Sequence, residues 1–191
     1  VCAAPGGKTM YAAMLTGSEG HVISRDLIDK KTELIEENIE RLGLSNVTVQ
    51  VHDAREFDEE LTGKADVVIA DLPCSGLGIM GRKNDIKYHV SMESVKELAQ
   101  LQREILDTVC RYVKPGGTLV YSTCTIDSIE NDENAVWFAD THDFSLCGID
   151  DVVPEHGGER GFVTLHQGID ECDGFFISKF RADSNNQIGQ E

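Results

Sequence analysis

The strongest constraint on this chain is a repeated pattern: an apolar run that stops at an aspartate, then a segment of helical period, then another such run. His21-Val22-Ile23-Ser24-Arg25 leads to Asp26. Asn46 to Asp53 alternates Val47, Val49 and Val51 with polar residues, and Ala65 to Asp71 is nearly continuous in apolar side chains, as for a strand buried on both faces. Between the first two runs, residues 29–42 place Leu34, Ile35, Ile39 and Leu42 at helical spacing, and Gly43 supplies the stop. Strands alternating with helices predict an α/β fold with a mostly parallel, doubly wound sheet. In such a sheet ligands gather at the carboxyl ends of the strands, where these acids stand.

The same reading extends along the chain. Lys8 to Leu15 is expected to be a short helix, and 75–91 a long glycine-rich loop. From 95 to 113, Val95, Leu98, Ala99, Ile105, Leu106, Val109, Cys110 and Val113 recur at the spacing of an amphipathic helix. Lys114-Pro115-Gly116-Gly117 then reads as a turn into a strand over 118–123, followed by a helix over 128–139. Phe144–Ile149 and Phe175–Phe180 read as closing strands, antiparallel to the rest, with an irregular acidic stretch between them. Residues 1–182 are expected to form one domain, and the polar tail 183–191 to fray.

The bulk numbers exclude some classes. No long apolar run suggests a membrane span, and no charged-then-apolar leader suggests secretion. The six cysteines show no C-x-x-C spacing, so neither a zinc site nor a disulfide framework is expected and a reducing cytoplasm fits. Against 34 acids stand 17 bases, a formal net charge of −17. Affinity for nucleic acid comes largely from Lys and Arg neutralising phosphates, so by charge this chain reads as an acidic enzyme domain.

The chain opens inside a turn, Cys2-Ala3-Ala4-Pro5-Gly6-Gly7-Lys8-Thr9, of the kind that normally follows a strand. The expectation is of a fragment whose first strand is mostly absent. Glycines here let backbone amides approach a ligand at a helix N-terminus, where the dipole favours negative charge. A nucleotide-hydrolase P-loop would share Gly7-Lys8-Thr9, but the first glycine it requires falls on Cys2. Asp26 lies about twenty residues past the turn, where a carboxylate accepts the hydroxyls of an adenosine ribose. Asp53 is placed to meet a purine amino group, and Asp71 ends the next strand.

Two cysteines follow strands directly. Cys74 lies in Asp71-Leu72-Pro73-Cys74-Ser75-Gly76, and Cys124 in Ser122-Thr123-Cys124-Thr125. Methylating C5 of cytosine is hard because that carbon is a weak nucleophile. A thiolate that adds at C6 converts the ring into an enamine whose C5 attacks a methyl sulfonium. A proton donor near ring N3, for which Asp71 is a candidate, drives the addition. A second thiol then assists release. Cys2, Cys110 and Cys147 read, from the residues alone, as small buried packing residues, and Cys172 as part of a turn.

These segments, with Arg82-Lys83-Asn84-Asp85-Ile86-Lys87 and Asp173-Gly174-Phe175-Phe176, resemble the RNA cytosine-C5 methyltransferases of the Sun/RsmB family, most of all the RsmB type acting on small-subunit ribosomal RNA. The resemblance runs to about Arg181. It implies a Rossmann-like class I methyltransferase with an antiparallel closing strand, which transfers methyl groups from S-adenosyl-L-methionine. It makes Cys124 the nucleophile and Cys74 the cysteine assisting release. It places Cys2, Ala3, Ala4, Pro5, Gly6, Gly7, Lys8, Asp26, Asp53 and Asp71 around the cofactor. Arg82, Lys83 and Lys87 are the concentrated positive charge beside a catalytic thiol, where an RNA phosphate can lie. The resemblance also implies an N-terminal RNA-recognition region ahead of this chain, which would carry most of the RNA affinity. Neither a metal nor a membrane is implied. Asn84 and His166-Gln167 depart from the family pattern, which usually has proline and Leu-Pro there, and are expected to alter only loops away from the chemistry. The rival readings are a P-loop hydrolase and an acidic scaffold that kept the fold without activity.

Overall fold

A computed structural model describes residues 1–149 and 160–184. The tail beyond Ser184, and part of the acidic stretch before Arg160, lie outside the described residues. The chain divides into two compact units, Val1–Phe57 and Asp58–Glu191.

The first unit contains α1 (Gly7–Thr16), β1 (Val22–Asp26), α2 (Asp29–Leu42) and β2 (Val47–Val51). β1 and β2 pair in parallel, from Val22 opposite Val47 to Asp26 opposite Val51. The helical stripe behaves as its spacing predicts: Ile35 is wholly buried, and α2 ends where Gly43 turns left-handed at φ 64°. Gly6 precedes α1 at φ 103°, and a Cβ there would stand 3.3 Å from Cγ2 of Ile35. Glycine is needed at Gly6 both for its backbone angle and for its closeness to α2. The Asn46 amide donates to the carbonyls of Ala13 (2.9 Å) and Gly17 (2.7 Å), tying the end of α1 to the start of β2.

The second unit holds β3 (Ala65–Asp71), α3 (Ile86–His89), α4 (Met92–Val109), β4 (Val113–Thr123), α5 (Asp132–Thr141), β5 (Phe144–Leu146), β6 (Phe162–Leu165) and β7 (Phe175–Ala182). β3 and β4 are parallel, with Val67 opposite Thr118 and Asp71 opposite Ser122. β7 runs antiparallel to β4, and both β5 and β6 pair with β7, along successive stretches of it. The core between sheet and helices contains Leu106, Val109, Leu119, Tyr121, Phe138, Phe176 and Phe180, all fully buried. A Ser91–Ser94 capping box starts α4.

Several expectations are corrected in detail. The 75–91 segment is not bare loop: Leu77–Ile79 form a 3-10 turn and Ile86–His89 a short helix. The long helix starts at Met92 and gives way after Val109 to a 3-10 turn, Cys110–Tyr112. Lys114 to Gly117 bulge out within β4, because Ala65 faces Val113 while Val67 already faces Thr118. α5 begins at Asp132, since residues 125–131 are drawn into side-chain hydrogen bonds described below. β5 stops at Leu146 rather than running to Ile149. β6 lay within the stretch read as irregular, and its four residues carry too short a pattern to stand out. β3 is not buried on both faces, as Val67 is 55 % exposed.

Candidate active site

In the first unit, the turn that opens the chain is built from backbone. The Ala3 N–H donates to the Arg25 carbonyl (3.0 Å), and the Gly6 N–H closes onto the Ala3 carbonyl (2.8 Å). Asp26 is 6 % exposed; one carboxylate oxygen accepts from the Ala4 N–H (3.1 Å), the other from the Ile28 N–H (3.4 Å). The carboxylate therefore fixes the turn and retains lone pairs for a further donor. Asp53 sits just past β2, both oxygens held by Arg55 at 2.7–3.1 Å, which lowers its pKa. A ligand amino group at Asp53 has to share that carboxylate with a guanidinium. Thr9 is buried with its hydroxyl 2.8 Å from that of Ser24. A P-loop threonine points at a metal-bound phosphate; this one is spent in the core, which removes the hydrolase reading.

In the second unit, β3 and β4 end side by side and deliver the two cysteines together. Their sulfurs stand 3.2 Å apart. Either sulfur can donate to the other; with Cys74 as the donor, the bond draws the Cys124 pKa down to about 7. Burial and the Asp71 carboxylate oppose that fall, while the charge of Lys83 assists it. Cys74 moves the other way: the bond it donates, and its burial, hold its proton firmly. The close pair thus favours one thiolate beside one thiol, with Cys124 the more acidic of the two sulfurs. Cys110 is inert by contrast, pushed up to about 12 by burial. Asp71 accepts from the Ser122 hydroxyl at 2.8 Å.

The surrounding loops are stitched closely. The Gly78 N–H donates to the Cys124 carbonyl (3.0 Å), and the Gly174 N–H to the Gly78 carbonyl (2.8 Å). A Cβ on Gly78 would lie 2.3 Å from the Gly174 carbonyl oxygen, so no larger residue fits without moving backbone. Asp173, in that same turn, pairs with Arg82 at 2.9 Å. Lys87 lies 4.9 Å from the centre of the Tyr88 ring, which is 77 % exposed and was not singled out from sequence. The Gln167 departure is closer to the chemistry than expected: a Cβ on Gly81 would be 2.5 Å from its amide nitrogen, three residues from Gly78.

Sequence reading also missed the polar core beneath the thiols. Glu130 is wholly buried and accepts from the Ser75 N–H (2.9 Å), the Ser75 hydroxyl and the Gln102 amide (3.0 Å). Gln102 Oε1 receives the Asn134 amide (2.9 Å) and lies 3.0 Å from the Tyr121 oxygen, whose single proton is shared with the nearby Glu130 main-chain carbonyl. Thr123 donates to Asn131 at 2.6 Å. The available signal was Gln102, a polar residue inside the apolar stripe of α4.

The family model of the 16S rRNA methyltransferases RsmB/F matches residues 1–181. The chain belongs to that family. Ribosomal RNA small subunit methyltransferase F of Escherichia coli O7:K1 is 34 % identical over 186 residues, 95 % of this chain and 39 % of that protein. The same enzyme of Citrobacter koseri is 34 % identical over 188 residues. A crystal structure of PH0851 superposes with a TM-score of 0.87 at 32 % identity, over 93 % of this chain and 40 % of that one. NSun6 from Pyrococcus horikoshii with SFG gives 0.79 at 29 % identity, over 94 % of this chain and 46 % of that one. The chain spans about two-fifths of the length of the curated relatives it matches. A SAM-dependent O-methyltransferase from Thermotoga maritima, 14 % identical with a TM-score of 0.59, shares the Rossmann-like fold. Among the described residues no helix is long and apolar enough to cross a membrane.

Proposed function

We propose that this RsmB/F chain methylates C5 of a cytidine in RNA, of the small ribosomal subunit, through a covalent bond between Cys124 and C6 of the base. The observation that carries the reading is the thiolate–thiol pair at the ends of β3 and β4.

Cys124 adds to C6 as the thiolate, and Asp71 is assigned to hold the proton that ring N3 needs as negative charge moves into the ring. Cys74 keeps its proton at 3.2 Å from the attacking sulfur and so favours the same thiolate again when the C6–sulfur bond breaks. The C5 proton passes to solvent water as the electron pair of the C5–H bond restores the ring double bond. The turn of the first unit fits an adenosine-bearing cofactor: the space where a Gly7 side chain would project is open, the Gly6 cap of α1 has no side chain to fill that helix start, and Asp26 has acceptor capacity left. Cys2, Ala3, Ala4, Pro5, Gly6, Gly7, Lys8, Asp26, Asp53 and Asp71 are assigned to that cofactor. S-adenosyl-L-methionine, when bound, supplies the methyl group. Arg82, Lys83 and Lys87, with the exposed Tyr88 ring, are assigned to the RNA strand.

With a net charge of −17, the chain is expected to need basic surface from outside these residues for useful RNA affinity and rate. The cytoplasm, where ribosomal RNA is found, is the assigned location. The deciding test is incubation of the full-length protein with small-subunit RNA and labelled cofactor, followed by mapping of 5-methylcytidine. Label at a carbon other than cytosine C5, or on ribose, overturns the reading.

A further inference from the structure

A carboxyl group withdrawn wholly from water persists only where its oxygens accept hydrogen bonds, and an apolar side chain would fill the same space without that demand. Glu130 is such a group, and it lies on neither thiol. What it holds are the neighbours of both. Its two oxygens accept the backbone N–H and the hydroxyl of Ser75, the residue after Cys74. The Gln102 amide nitrogen, which donates to Glu130, also donates to the carbonyl of Pro73 (2.9 Å), the residue before Cys74. The Ser75 oxygen is 2.8 Å from the hydroxyl of Thr125, the residue after Cys124. Because the Ser75 proton goes to Glu130, Thr125 donates to Ser75, and the chain of bonds has one direction. The Tyr121 hydroxyl, on β4, donates to the Glu130 main-chain carbonyl.

We propose that Glu130 is a positioning residue, which sets the separation of the two catalytic sulfurs by clamping the residues that flank them. Its side-chain oxygens accept from Ser75 and from the Gln102 amide that also holds Pro73, and through Ser75 they fix Thr125. Without it, Ser75 and Gln102 lose their common acceptor and the Cys74 loop is free to drift. A sulfur–sulfur hydrogen bond is weak and short in reach, so a shift of about 1 Å is enough to remove it. Cys124 then loses the donor that makes it a thiolate. The role rests on the reading of Cys124 as nucleophile, but its test does not.

The test is alkylation of Cys124 by iodoacetamide as a function of pH, followed by peptide mass spectrometry, in the full-length protein. Wild type is expected to show a midpoint at about 7. Glu130→Ala is expected to raise it by more than about one pH unit, towards a free thiol near 8.5. Ser75→Ala, which removes only the hydroxyl arm, is expected to raise it by less. Packing alone would lower the melting temperature and leave the midpoint in place. An unchanged midpoint in folded Glu130→Ala overturns the clamp; should that variant not fold, an unchanged midpoint in Ser75→Ala overturns it. Either result leaves the methylation reading to its own RNA-mapping test, so the two fail separately.

Discussion

The turn in the first unit and the thiol pair in the second solve the same problem in opposite ways. Around Gly6, the groups that matter are main-chain N–H donors, and one carboxylate from the next strand orders them. Around Cys74 and Cys124, main chain does little of the tuning. The sulfurs acquire their character from each other, and their loops are held by a buried set of side chains drawn from β4, α4, α5 and the loop before α5. The first design depends on backbone angles and on a single carboxylate that touches them directly. The second is sensitive at positions that never meet substrate.

If that contrast is right, the largest single effect belongs to Cys124. Cys124→Ser is expected to lower methyl transfer by roughly 10³-fold or more, because a hydroxyl is far too weakly acidic to add to C6. Retained transfer in a labelled-cofactor assay removes the covalent role. Cys74→Ser should cut turnover by about 10²-fold and leave the protein trapped on its RNA, seen as a slow band on a denaturing gel. A band from Cys124→Ser instead reverses the two roles.

The turn is tested through its carboxylate. Asp26→Ala is expected to weaken cofactor binding by roughly 10- to 100-fold, since a charge-assisted hydrogen bond contributes about 1.5–3 kcal/mol. It should also lower thermal stability, because the Ala4 and Ile28 N–H groups lose their acceptor. Calorimetry showing unchanged cofactor affinity in a destabilised protein would make Asp26 a structural pin only.

Acidity gives a smaller, graded signature. On the proposed role of Cys124 as a thiolate nucleophile, lowering pH through about 7 should remove activity, with roughly a ten-fold loss for each unit below it. A single-turnover profile flat between pH 5.5 and 7 contradicts the assignment. The smallest effects should fall at the surface. Arg82→Ala is expected to raise KM for RNA only a few-fold, since its pair with Asp173 is exposed. Lys83→Ala should add a slight upward shift of the Cys124 profile, because that side chain also steadies the thiolate.

Much of this was open in the linear chain. The strands that end at Asp26 and Asp71, the 29–42 helix and both cysteines beyond strand ends follow from local period and from residues adjacent in sequence, whereas β2 stops at Val51, two residues short of Asp53. So does the glycine turn, whose backbone demands are local. What the sequence by itself determined is therefore which groups stand at the strand ends. Only the tertiary structure decided what those groups are. Cys74 and Cys124 are 50 residues apart, and their difference in acidity exists only because parallel pairing of β3 and β4 brings the sulfurs to 3.2 Å. Glu130 reads as one more acid in an acidic chain until folding removes its water and brings Ser75, 55 positions away, against it. Periodicity records which face of an element is apolar. It does not record which polar side chain on that face will find a partner, because the partner arrives from a distant segment and the free energy of burying both is decided by the pair.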